Sequence, residues 1–161
     1  MTEASPQLTA RDIMLKRYLR LGENHTLAEV IGFLQHPRFE NEGMPFLVVI
    51  SAEGTLAGMV SPRSIFAALS AGAEACDDES LLQLAQERLP TPIREVMVTA
   101  PDSLRPESEL REIFTVFAHT RAPAVPVLEE GRVIGLITPR ILFDTASRLA
   151  LDNAESGIQL P

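Results

Sequence analysis

At 161 residues, with 45% hydrophobic and 22% charged residues, the chain can bury an ordinary core as one medium domain or two small ones. Fourteen Lys and Arg against 22 Asp and Glu leave a formal net charge of -8, spread along the chain; this argues against a nucleic-acid or anionic-membrane surface, because counterion release needs clustered cations. The single cysteine, Cys76, excludes an internal disulfide, MTEASPQLTA lacks a basic-then-apolar leader, and no apolar run approaches the ~18 residues of a membrane span, so a cytoplasmic protein is expected.

After a short arm, residues 1–8, the chain opens with Arg11-Asp12-Ile13-Met14. Lys16, Arg17 and Arg20 follow as its densest basic cluster, around the one tyrosine, Tyr18. Leu27, Val30, Ile31 and Leu34 recur at helical spacing, and Thr26 with Glu29 forms a capping-box start. Beyond HPRFENEG, Phe46 to Ile50 reads as a strand that turns at Glu53-Gly54 into a second strand, Leu56 to Val60. Ser61-Pro62-Arg63 opens a helix with Gly72 as its expected stop, and Glu74 to Leu89 reads as a connecting helix bounded by Pro90 and Pro92.

From there the chain repeats itself. Arg94-Glu95-Val96-Met97 answers the opening motif, and Leu110, Ile113, Phe114 and Phe117 mark a helix with Ser108 as its expected cap. Val125 to Leu128 and Val133 to Ile137 give two strands about the Glu130-Gly131 turn, and Thr138-Pro139-Arg140 opens the last helix. GMVSPRSIF, Gly58 to Phe66, and GLITPRILF, Gly135 to Phe143, make the duplication plain. Equivalent residues stand 83 apart in the early half and 77 apart in the late half, the difference being mainly extra loop in the first block.

The expected fold is therefore α/β: two β-α-β-β-α repeats, residues 9–73 and 91–151, joined by a linker at 74–90 and followed by a flexible tail at 152–161. Neither block is large enough to cover both faces of a three-stranded sheet. The two are expected to pack with pseudo-twofold symmetry through their sheets.

In the repeated phrase Ser61 and Thr138 occupy N-cap positions, with Pro62 and Pro139 at the first helical position, where a missing N–H costs nothing. That alone is a sound strand-to-helix junction, which gene duplication would copy as readily as a binding site. Arg63 and Arg140 add a second reading, because a helix N-terminus with free N–H groups, a hydroxyl and a guanidinium suits phosphate.

The order of these features, twice over, resembles a tandem pair of CBS domains (cystathionine-beta-synthase type), often called a Bateman module, across about Thr9 to Leu151. The resemblance rests on the D-I-M and E-V-M motifs, the helix, the proline-containing apolar strand (Met44-Pro45-Phe46; Ala122-Pro123-Ala124), the glycine turn and the Gly-apolar-apolar-Ser/Thr segment. It implies a stand-alone regulatory module that binds AMP, ATP or S-adenosylmethionine in a cleft between its repeats, commonly dimerises, signals to a protein partner and requires no resident cofactor. In the family motif the hydroxyl contacts phosphate and an acid three residues on contacts the ribose hydroxyls. Carried over, Ser61 and Thr138 would contact phosphate with Arg63 and Arg140 beside them, while Lys16, Arg17, Tyr18, Val98, Thr99, Met44, Pro45, Ala122 and Pro123 border the cleft.

The chain departs from that pattern at the acid, which is Ser64 in the first repeat and Ile141 in the second. A charged hydrogen bond of this kind contributes about 1.5–3 kcal/mol, so its loss would weaken a nucleotide roughly ten- to a hundredfold. Ser64 keeps the capacity for one neutral hydrogen bond and Ile141 for none. The alternative is thus a ligand-free dimerisation or docking module. His25, His36 and His119 are scattered without metal-ligand spacing, and no motif places a nucleophile beside a base, so neither a metal site nor catalysis is expected.

Overall fold

The computed structural model describes residues 7–35 and 46–152. HPRFENEG with His36, the cleft candidates Met44 and Pro45, and the tail from 153 lie outside the described residues. In chain order the elements are α1 (Ala10–Ile13), β1 (Arg20–Gly22), α2 (Leu27–Leu34), β2 (Leu47–Ile50), β3 (Leu56–Val60), α3 (Pro62–Ser70) and α4 (Asp78–Arg88), then a 3-10 turn (Ile93–Glu95), α5 (Leu110–His119), β4 (Val125–Glu129), β5 (Arg132–Ile137) and α6 (Pro139–Asp152). The fold is α/β, and each repeat is β-α-β-β-α-like.

The first sheet is three-stranded, ordered β1-β2-β3, with β1 parallel and β3 antiparallel to β2. The second is the hairpin β4-β5, and its third strand shrinks to one parallel bridge between Leu104 and Val127. Pro101 and Pro106 flank that bridge, and prolines without N–H groups cannot extend a ladder.

The chain gathers into two compact units. The larger comprises Arg17–Pro101 with Glu130–Val133; the smaller runs up to Lys16, through Asp102–Glu129 and on from Ile134. Leu27, Val30, Leu47, Val49 and Ile93 form the core of the larger, each fully buried. Ala10, Ile113, Val125, Val127 and Ile137 do the same in the smaller.

These cores reveal an exchange that a contiguous reading of each block does not foresee. The first opening motif joins the second block, and the second joins the first. Thr9 bridges Glu109 and Thr26 bridges Pro92, and Leu15 pairs with Leu136 as Val98 pairs with Met59. The backbone hydrogen bonds are 2.7 and 2.9 Å for Leu15 with Leu136, and 2.9 and 3.0 Å for Val98 with Met59. Each opening segment thereby covers the outer edge of β5 or β3, which would otherwise offer unpaired backbone groups.

Glycine makes the exchange possible. A Cβ on Gly135 would lie 2.6 Å from Met14 Cγ, and one on Gly58 would lie 2.8 Å from both Met97 Sδ and the Val98 carbonyl oxygen. The repeated phrase begins with glycine because the opening methionine of the other block rests there.

Several local expectations shift. Glu109, not Ser108, is the N-cap of α5; the buried Ser108 instead closes the preceding turn, its hydroxyl accepting the Arg105 N–H at 2.9 Å, while its carbonyl accepts the Ala10 N–H at 2.8 Å. The connecting helix starts at Asp78 because Asp77 caps it, accepting the Ser80 N–H at 2.8 Å. Its far end is tied back to α3: Arg88 donates to the Ala68 carbonyl at 2.8 Å and to the Ala71 carbonyl, satisfying acceptors that a helix C-terminus leaves free. Gly72, φ +80°, follows as the expected stop.

Gly58→Ala and Gly135→Ala should each destabilise the protein by about 1–3 kcal/mol as judged by urea unfolding, through overpacking. Gly58→Ala should be the worse, because its added methyl meets a backbone carbonyl rather than a side chain alone. A pH effect is also expected. Hydrogen bonding to His25 holds the Glu29 carboxyl below its ordinary range, and hydrogen bonds from Ser80 do the same for Asp77. Because both values are lowered on folding, the support these groups give to the starts of α2 and α4 is present above the usual carboxylate range. It should be lost as pH falls through their folded values, with amide exchange rising first in those turns.

Candidate ligand-binding site

In the larger unit β3 ends at Val60 and delivers Ser61, in extended conformation, to the start of α3. The turn is closed by Ser64, whose hydroxyl accepts the Ser61 N–H at 3.0 Å and donates to the Ser61 carbonyl at 2.9 Å. The residue in the place of the family acid has therefore spent its proton inside its own turn. Arg63 is exposed and has no hydrogen-bond or ion-pair partner among the described residues. Val98, 53% exposed and fixed by its pairing with Met59, brings Thr99 to the same unit.

The smaller unit is built alike but finished differently. Thr138 acts as a forward cap, its hydroxyl accepting the Ile141 N–H at 3.2 Å. Arg140 Nε lies 3.8 Å from Asp144 Oδ2, one turn along α6. Ala67 occupies the equivalent place in α3, so Arg63 has no such carboxylate. Ile141 is partly buried against the core of this unit, which makes it a packing residue. The β4-β5 hairpin sets Ala122 and Pro123, just before β4, near the strand end that leads to Thr138. The Leu15 and Leu136 pairing carries the exposed Lys16 into the same unit.

Arg17 and Tyr18 fall in the larger unit. Tyr18 is half-buried and its hydroxyl donates to the Val133 carbonyl at 2.9 Å, which pins the ring. Arg17, like Lys16, is exposed. Sequence reasoning missed Asp144 as the partner of Arg140, although an i, i+4 Arg-to-Asp spacing on a helix signals it. Among the described residues no group of His, Cys, Asp or Glu is placed to hold a metal ion. His25 instead pairs with Glu29 at 2.6 Å and stands edge-on to the Phe33 ring. No helix among the described residues is long and apolar enough to cross a membrane.

Two matched strand-to-helix junctions, each completed by an opening segment from the other block, define a duplicated pair. Residues 10–71 and 93–147 each match the CBS domain, and the chain belongs to the CBS-domain family as a tandem pair of these non-catalytic regulatory modules. Among solved structures the chain resembles a protein assigned to acetoin utilization (AcuB) from Vibrio cholerae, at 24% identity and TM-score 0.68, over 94% of this chain and 98% of that one. It also resembles CBSX2 in complex with AMP, at 21% identity and TM-score 0.67, over 88% of this chain and 98% of that one. The cytosolic domain of the Mg2+ channel MgtE in complex with ATP is similar at 23% identity and TM-score 0.64, over 85% of this chain and 48% of that one. At these identities the likeness establishes the fold. No curated protein matches the chain.

The two missing acids should respond differently to restoration. Ser64→Asp keeps an acceptor at the third helical position, where a carboxylate also suits the helix dipole, and should change stability by less than about 0.5 kcal/mol. Ile141→Asp sets a carboxylate against an apolar core and should cost about 1–3 kcal/mol in urea unfolding.

Proposed function

We propose that this CBS pair is a cytoplasmic regulatory module that senses an adenosine-containing phosphate of the AMP or ATP class and relays its occupancy to a protein partner. The observation that carries this reading is the unpaired Arg63 beside the start of α3, in the unit that also holds Ser61 and Thr99. Two structures of similar fold hold AMP and ATP, which supports the ligand class. The α6 start is the weaker partner, since Asp144 places a competing carboxylate 3.8 Å from Arg140. S-adenosylmethionine, lacking phosphate, fits this chemistry less well. Signalling would follow from population shift: the ligand favours whichever arrangement binds it better, by no more than its differential affinity.

Neither junction offers a ribose diol a carboxylate at the position of the family acid: Ser64 has donated its proton to its own turn and Ile141 is packed inward. Recognition would then rest on phosphate and base. A second reading, a docking or homodimerisation module without ligand, is favoured by Phe66 and Phe143, equivalent residues on α3 and α6 that are 63% and 70% exposed.

Thermal-shift titration with AMP, ADP, ATP, S-adenosylmethionine and inorganic phosphate tests the first reading. A ligand at a hundred times its Kd should stabilise the native state by about 2.7 kcal/mol. Arg63→Ala should abolish the shift, Arg140→Ala should leave most of it, and 2′-deoxy-AMP should bind within about threefold of AMP. Absence of any shift at millimolar ligand would favour the docking reading, with Phe66→Ser and Phe143→Ser then expected to dissociate a dimer in light scattering.

A further inference from the structure

Three methionines lie among the described residues, and two hold equivalent places. Met14 and Met97 are part-buried at the margins of the two cores, resting on Gly135 and Gly58 respectively, whereas Met59 is only 5% exposed. Immediately after them, Leu15 and Val98 make the hydrogen bonds that fasten each opening segment to its strand edge. An unbranched, apolar thioether suits a notch over a bare Cα, where the space would not take a further Cβ. Sulfoxidation makes that group polar, chiral and larger by one oxygen, at the apolar margin of a core.

We propose that Met14 and Met97 are paired oxidation sites, and that their conversion to sulfoxide by a peroxide lifts each opening segment from its strand. The thioether sulfur attacks one peroxide oxygen; the O–O bond breaks as the S–O bond forms, and the proton on the transferred oxygen passes to the departing hydroxide, which leaves as water. Sulfur is oxidised by two electrons and the peroxide reduced by two. Sulfoxide reductases reverse the change, so each methionine is a renewable latch. The proposal stands whether or not the α3 start binds a nucleotide.

The test uses the full chain in a Cys76→Ser background, since the exposed thiol would otherwise consume peroxide. Peptide mass spectrometry after hydrogen peroxide should find sulfoxide at Met14 and Met97 well before Met59. Amide exchange at Leu15, Leu136, Met59 and Val98 should rise at least tenfold and return on treatment with methionine sulfoxide reductases. A Met14→Leu/Met97→Leu double variant, compared with its own untreated state, should show no peroxide-dependent rise. Should that variant fail to fold, the reductase reversal in the parent chain decides. Oxidation of Met59 at an equal rate, sulfoxide at both latches with exchange unchanged, or a rise that persists after repair would each overturn the proposal.

Discussion

Everything else in this molecule depends on two methionine-on-glycine contacts. Met14 on Gly135 and Met97 on Gly58 bring each opening segment close enough for its backbone to complete a strand edge. A side chain at the glycine would force the methionine, and at Gly58 the Val98 carbonyl as well, to shift. Because each segment comes from the other block, neither compact unit consists of consecutive residues. A cut in the linker would therefore place each sheet and the segment that finishes it on different fragments.

The same economy explains the asymmetry of the two junctions. Both were copied from one design, yet one closes its first turn by reaching back from Ser64 and the other by reaching forward from Thr138. One arginine is unpaired, while the other has acquired a carboxylate one turn along. Exposed ion pairs contribute little to stability, so Asp144 matters more for what it does to the local field than for holding α6 together. Duplication preserved the scaffold, and the charged surface diverged.

Much of this was legible in the sequence because it is local. The stripes of α2 and α5, the turns at Gly54 and Gly131 and the stop at Gly72 each depend on residues within a few positions, and the 83- and 77-residue offsets marked the duplication. What escaped was set by pairing at a distance or by one-residue detail. Nothing near Met14 announces Gly135, although two glycines inside apolar strands, each mirrored by a methionine elsewhere, were a usable signal. Ser108 and Glu109 differ by one position, and the Arg105–Ser108 turn, which takes up the Ser108 hydroxyl, left Glu109 as the cap. Ser64 read as a free hydroxyl because a bond back to its own turn is invisible without coordinates.

The exchange of opening segments also sets a timetable for synthesis. Leu15 and Leu136 are 121 positions apart (136 minus 15), so the first segment leaves the ribosome long before the strand edge it must cover exists. At about 5–20 residues per second the wait is roughly 6–24 s, long compared with collapse of the intervening chain. The larger unit, nearly contiguous from Arg17 to Pro101, has that interval in which to form. Its nascent β3 edge is then covered by Val98, which follows Met59 by 39 positions (98 minus 59), while the N-terminal segment remains unpaired. Thr9 to Leu15 thus wait through most of synthesis, and they pair only when the last block arrives.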